Sequence, residues 1–168
     1  MALPKAFINN RGFTLIELSV TMGLLVILGS LGLFMSMDSM RSGAFRDDRD
    51  TAVSGLQRAR SLAVNNMCFG ATCTEGVPHG VRFYPKGDPN ESKFVIFQGV
   101  DYDHRESSAD EIIEYNNRTT YVDDSSIIDI VFDRLSGNAI TKSVTLKDNA
   151  GHASIIDINS EGRIDWTN

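Results

Sequence analysis

Two groups of residues in this 168-residue sequence could do chemistry. The first is Glu17, which stands directly before Leu18–Met37 (LSVTMGLLVILGSLGLFMSM), twenty residues without a charge. A carboxylate at the edge of so apolar a run costs a few kcal/mol if unpaired. It must either reach polar surroundings as an interfacial charge or meet a cation. The second group is Cys68 and Cys73, the only two cysteines, set five apart in MCFGATCTEG. They could close a small disulfide loop, bind a metal, or stay as free thiols. A metal would need more ligands, and His79 is the only histidine near them in sequence; His104 and His152 lie far off. No nucleophile-elbow glycine pattern and no phosphate loop accompanies the serines, histidines and aspartates, so the chain is not expected to be an enzyme or to carry a cofactor. The pairs Asp47-Asp48 and Asp123-Asp124 read as solvated charges of a stem and a loop.

The elements that position these residues follow from hydropathy and charge. Twenty helical residues at about 1.5 Å each cover about 30 Å, the thickness of a bilayer's hydrocarbon core. Lys5 and Arg11 precede the run with no acidic residue among them, while Asp38, Asp47, Asp48 and Asp50 follow it mixed with Arg41, Arg46 and Arg49. The positive-inside tendency then keeps the N-terminus in the cytoplasm and exports the rest. Gly23, Gly29 and Gly32, with Ser19, Thr21 and Ser30, would let such helices approach closely in lipid. Setting Lys5, Arg11 and Glu17 aside from 16 basic and 22 acidic residues leaves 14 against 21 beyond Met37, a net charge of −7. That balance argues against binding phosphate backbones by charge, so DNA is not an expected partner. Export to an oxidising compartment, with an even cysteine count, favours a Cys68–Cys73 disulfide over a metal site or free thiols.

Beyond the apolar run, Ala52, Val53, Leu56, Ala59, Leu62 and Ala63 recur at spacings of three and four, one buried stripe of an amphipathic helix. No proline interrupts Phe13 to Val64, so the sequence predicts one long helix ending near Asn65-Asn66, bent near Ser42-Gly43. A linker over Arg46–Asp50 is the alternative. From Met67 onward the pattern turns to alternation and β-branched runs. Strands are expected over 81–84, 93–99, 111–115, 119–122, 127–132, 142–146, 153–158 and 163–166. Turns fall at Pro85–Asn90, Asp148–Gly151 and Ser160–Gly162.

The string Arg11-Gly12-Phe13-Thr14-Leu15-Ile16-Glu17-Leu18 closely resembles the recognition motif of prepilins. In that family a membrane-embedded aspartyl peptidase, prepilin peptidase, cuts after the glycine and the new N-terminal residue is methylated. The resemblance places the cut between Gly12 and Phe13, makes Phe13 the methylated terminus, and matches Glu17 to the acidic residue five places into the mature chain. Glu17 would then offer its carboxylate to the amine of a neighbouring subunit. LQRARSLAVNN (56–66), Phe132–Gly137 and INSEGRI (158–164) resemble, more weakly, the H-type minor pseudopilins of type II secretion and their type IV pilus relatives, whose heads pack two antiparallel sheets on the helix.

The implied fold is α+β and pilin-like, a long N-terminal helix packed on an antiparallel β-rich head. Its parts are a leader (1–12), a transmembrane segment (13–37), an amphipathic continuation (38–66) and an extracytoplasmic head (67–168). The implied function is a structural subunit, a minor pilin or pseudopilin, of a type IV pilus or type II secretion filament. Its partners are prepilin peptidase, other pilins or pseudopilins and the cytoplasmic membrane. A minor pilin that captures DNA for uptake is the alternative, and it would need a basic surface.

Overall fold

The computed structural model describes residues 13–70, 73, 75–116 and 119–167, with the backbone alone over 31–39. Gly12 lies outside the described residues. The chain divides into two compact units, Met1–Met40 and Arg41–Asn168.

One helix, α1, runs over Leu15–Val64. It is helical through Ser42, Gly43 and the whole of Arg46–Asp50, so no linker separates two helices there. Its C-terminus is fixed by local chemistry. Asn66 takes a left-handed φ of 54°, its amide donates to the Ala63 carbonyl (3.1 Å), and the Met67 amide donates to that of Leu62 (2.9 Å). This is a Schellman ending with asparagine in the position glycine usually holds.

In the first unit, the apolar side chains from Phe13 to Leu28 are 54–84% exposed, including the consecutive run Leu24–Leu28. The apolar surface therefore goes all the way round this part of α1 and is not a stripe. Among the described residues no helix is long and apolar enough to cross a membrane. The expected run Leu18–Met37 is described with side chains only as far as Ser30.

In the second unit α1 is amphipathic. Phe45, Ala52, Val53, Leu56, Ala59 and Ala63 are buried, while Ser54, Gln57, Arg58 and Ser61 face solvent. Against the buried stripe pack two antiparallel sheets. The first is built from β1 (His79–Phe83), β2 (Lys93–Gln98), β3 (Glu111–Glu114) and β5 (Ile128–Phe132) in the order β3-β2-β1-β5. The second holds β4 (Tyr121–Val122), β6 (Lys142–Lys147), β7 (Ala153–Ile158) and β8 (Ile164–Thr167) in the order β4-β6-β7-β8.

Register places Val81 between Ile96 and Ile130, Phe83 between Phe94 and Ile128, and Val144 opposite Ile156. These side chains join the α1 stripe in one core. Period-2 alternation is clean in β7, whose burial alternates from exposed Ala153 to buried Ile158. Gly55 lets the Phe94 ring sit directly against α1: a Cβ there would overlap that ring.

The first sheet is buried on its other face too. Val95 and Phe97 point away from α1 yet are almost inaccessible. The segment 99–110, which includes a 3-10 turn at Ser107–Ala109, covers them. Tyr102 meets the Phe97 ring edge-on, and the guanidinium groups of Arg82 and Arg105 each lie 3.6 Å from the Tyr102 ring centroid. Arg82 is held by Asp129 and Arg105 by Asp110 (2.8 Å). This strap was not foreseen; an irregular, polar segment carries no periodicity to announce it.

Candidate processing and assembly site

The residues Phe13, Thr14 and Glu17 come together at the start of α1. The Thr14 carbonyl accepts from the Leu18 amide (3.1 Å), and its Oγ1 accepts from the Glu17 amide (3.3 Å). Phe13 and Thr14 lie outside the helix. Thr14 is therefore the N-cap and Glu17 the third helical residue, which is the spacing of a capping box. Glu17 also sits where the helix's positive end favours a carboxylate. Phe13 and Leu18 occupy the two positions of a hydrophobic staple. Sequence reasoning singled out Phe13 and Glu17 but passed over Thr14, although Thr-x-x-Glu before an apolar run was there to be read.

The cysteines are joined as a Cys68–Cys73 disulfide. The loop they close is docked by Gln98, which is nearly buried at the end of β2: its Oε1 accepts from the Phe69 amide (2.7 Å) and its Nε2 donates to the Phe69 carbonyl (3.0 Å). Beside it His79 is buried, its Nδ1 3.1 Å from the Val77 carbonyl and its Nε2 without a hydrogen-bond partner. Burial pushes the His79 pKa down and the Val77 carbonyl offsets this only partly, so the ring is held neutral. Among the described residues no group of His, Cys, Asp and Glu side chains could hold a metal.

Asp48 requires a correction. Read as a solvated stem charge, it is in fact fully buried, whereas its neighbour Asp47 is exposed as expected. Its carboxylate accepts from the Asn116 amide (2.7 Å) and from Thr120 Oγ1 (2.6 Å), tying α1 to the segment between β3 and β4. The reason is periodicity: Phe45, Asp48 and Ala52 follow at three and four, so Asp48 lies within the buried stripe. The adjacent Tyr115 hydroxyl is buried without a partner, and burial, with the Asp48 charge, pushes its pKa well up. Of the other doubled pair, Asp123 and Asp124 are exposed as expected.

A further carboxylate, Asp148, organises the β6–β7 turn, accepting from the Ala150 and His152 amides (both 2.9 Å) and pairing with His152 Nδ1 (2.8 Å). Burial raises the Asp148 pKa, but these hydrogen bonds outweigh it and leave the group below its ordinary value. The His152 ring in turn stacks on Phe45 of α1 at 5.8 Å. In these clusters the polar side chains hold segments of the head together.

Comparison with known proteins bears on the N-terminal site. Residues 8–33 match the model of the prokaryotic N-terminal methylation motif. The chain is also 36% identical over 120 residues to an uncharacterized protein of Aquifex aeolicus (strain VF5), covering 64% of this chain and 37% of that protein. It thus spans little more than a third of the length of the curated relative it matches. No solved structure matches significantly. The residues around Thr14 and Glu17 thus lie within a match to the prokaryotic N-terminal methylation motif, a motif of type IV pilin-like proteins.

Proposed function

We propose that this chain is a structural subunit, a minor pilin or pseudopilin, of a type IV pilus or type II secretion filament. Prepilin peptidase cuts between Gly12 and Phe13, and Phe13 is then N-methylated. The segment over residues 13–37 anchors the chain in the cytoplasmic membrane with residues 67–168 outside. The observation that carries this reading is the methylation motif over residues 8–33, standing at the head of a helix whose described first turns are apolar on every side. Such a surface needs lipid or neighbouring helices to cover it. Glu17 is the one charge in this part of α1, and a neighbouring subunit's terminal amine would neutralise it while fixing axial register. The H-type resemblance in the head, with its two antiparallel sheets, favours the minor-subunit class.

The test is intact mass of the membrane fraction in a host that carries the peptidase. Wild type should lose residues 1–12 and gain one methyl group, and Gly12→Leu should stay at precursor mass. An uncut wild-type chain in that host would refute the reading. Glu17→Val should insert and be cut normally, yet be recovered in sheared filaments far less than wild type.

A further inference from the structure

We infer that Thr14 is a positioning residue for the cleavage itself: its side chain stops α1 at Leu15 and so leaves Phe13, the residue that follows the proposed cut, outside the helix. The inference rests on the processing reading above and adds to it a residue and a mechanism.

A peptidase must reach the carbonyl it attacks, and a helical carbonyl is occupied by the amide four residues on. If α1 began one residue earlier, the Glu17 amide would donate to the Phe13 carbonyl. If it began two earlier, the Ile16 amide would donate to the carbonyl of Gly12, the carbonyl of the cleaved bond. The Thr14 hydroxyl prevents the first of these steps by taking the Glu17 amide for itself, at 3.3 Å. The Thr14 carbonyl, bonded to the Leu18 amide at 3.1 Å, is then the first acceptor of the helix. Phe13 is accordingly non-helical although α1 is regular from Leu15 onward.

The competition matters here because the neighbourhood is apolar. In the lipid or micelle that covers the exposed apolar side chains of Phe13, Leu15, Ile16 and Leu18, an uncapped amide would find little water, so without the hydroxyl it would turn to the next carbonyl back along the chain. Winding the helix backwards over Phe13 and Gly12 is the natural substitute for a lost cap. A threonine cap therefore does for the substrate what an extended loop does in ordinary proteolysis.

The experiment uses full-length precursors purified in detergent micelles and incubated with prepilin peptidase, with cleavage followed by mass. Thr14→Ser and Thr14→Asn retain a side-chain acceptor and should be cut at the wild-type rate. Thr14→Val keeps the shape but loses the acceptor. It should be cut about fivefold more slowly, the population ratio that corresponds to a typical capping preference. Hydrogen exchange at the Ile16 amide should also slow in Thr14→Val, because a helix grown backwards gives that amide the Gly12 carbonyl as acceptor.

Wild-type rates for Thr14→Val would overturn the inference. So would slow cleavage of Thr14→Asn beside normal Thr14→Ser, which would mean that the peptidase reads the hydroxyl directly. Slow cleavage of Thr14→Ser would overturn it as well. A wild-type precursor that is never cut would instead sink the processing reading.

Discussion

Replacing Asp48 tests how the head is tied to its helix. Its carboxylate is fully buried and accepts from Thr120 Oγ1 at 2.6 Å and the Asn116 amide at 2.7 Å. Hydrogen bonds to a charged group contribute about 1.5–3 kcal/mol each. Asp48→Ala removes both and leaves the Thr120 hydroxyl, itself 1% exposed, with the cost of an unsatisfied buried group. Against this stands the desolvation of the charge, which the substitution relieves. The net loss should be about 2–4 kcal/mol, a fall in Tm of roughly 6–15 °C for a domain of this size. Asp48→Asn keeps the volume and one acceptor and should cost roughly half as much. Thermal denaturation of the full chain in detergent, followed by circular dichroism, reads both. An Asp48→Ala protein that melts within 2 °C of wild type would refute the claim that this carboxylate, and not only the apolar stripe, holds the 115–120 segment to α1.

Other groups give sharper chemical readouts. His79, neutral and buried, has its pKa lowered from 6.5, so the unfolded chain binds a proton more readily than the folded one. Its stabilising effect is complete above 6.5 and is lost as pH falls through the folded value; the fall in Tm from pH 7 to pH 5 should be smaller in His79→Gln, and equal slopes would count against it. Freshly isolated, unreduced protein should give no thiol labelling at Cys68 or Cys73 until reduction, and two labelled cysteines would contradict the disulfide loop. After reduction the head should lose little stability, about 2 kcal/mol for so short a loop, because Gln98 still clasps the Phe69 backbone.

The architecture was legible wherever burial follows a period. The stripe Ala52–Ala63 gave the second half of α1, and β-branched alternation gave strands within a residue or two of β1, β2, β3 and β5–β8. Asn-rich termination at Asn65-Asn66 marked the helix end because asparagine tolerates the left-handed turn that Asn66 adopts. What stayed hidden was whatever depends on contacts distant in sequence. Asp48 looked like any stem carboxylate because its partners, Asn116 and Thr120, lie about seventy residues on. The strap over 99–110 depends on Tyr102 finding Arg82 and Phe97, and no local rule pairs a loop tyrosine with a strand arginine. At the N-terminal site Phe13 and Glu17 stood out as parts of a motif, but the motif alone did not show that Thr14 caps α1.

The roles proposed for Thr14 and Glu17 use different atoms, which makes them separable. The cap engages the Glu17 backbone amide, at Thr14 Oγ1, and does not use the carboxylate. Glu17→Val keeps an amide at the third helical position, so the cap persists and cleavage should proceed at the wild-type rate while filament incorporation fails. Thr14→Val leaves the carboxylate in place, so cleavage should slow, but the chains that are eventually cut should enter filaments normally. Opposite profiles in two residues three apart would show that processing and assembly are read from the same turn of helix by independent groups. If instead both variants lose cleavage and incorporation together, the first turn of α1 acts as one unit, and the assignment of separate roles to the hydroxyl and the carboxylate is wrong.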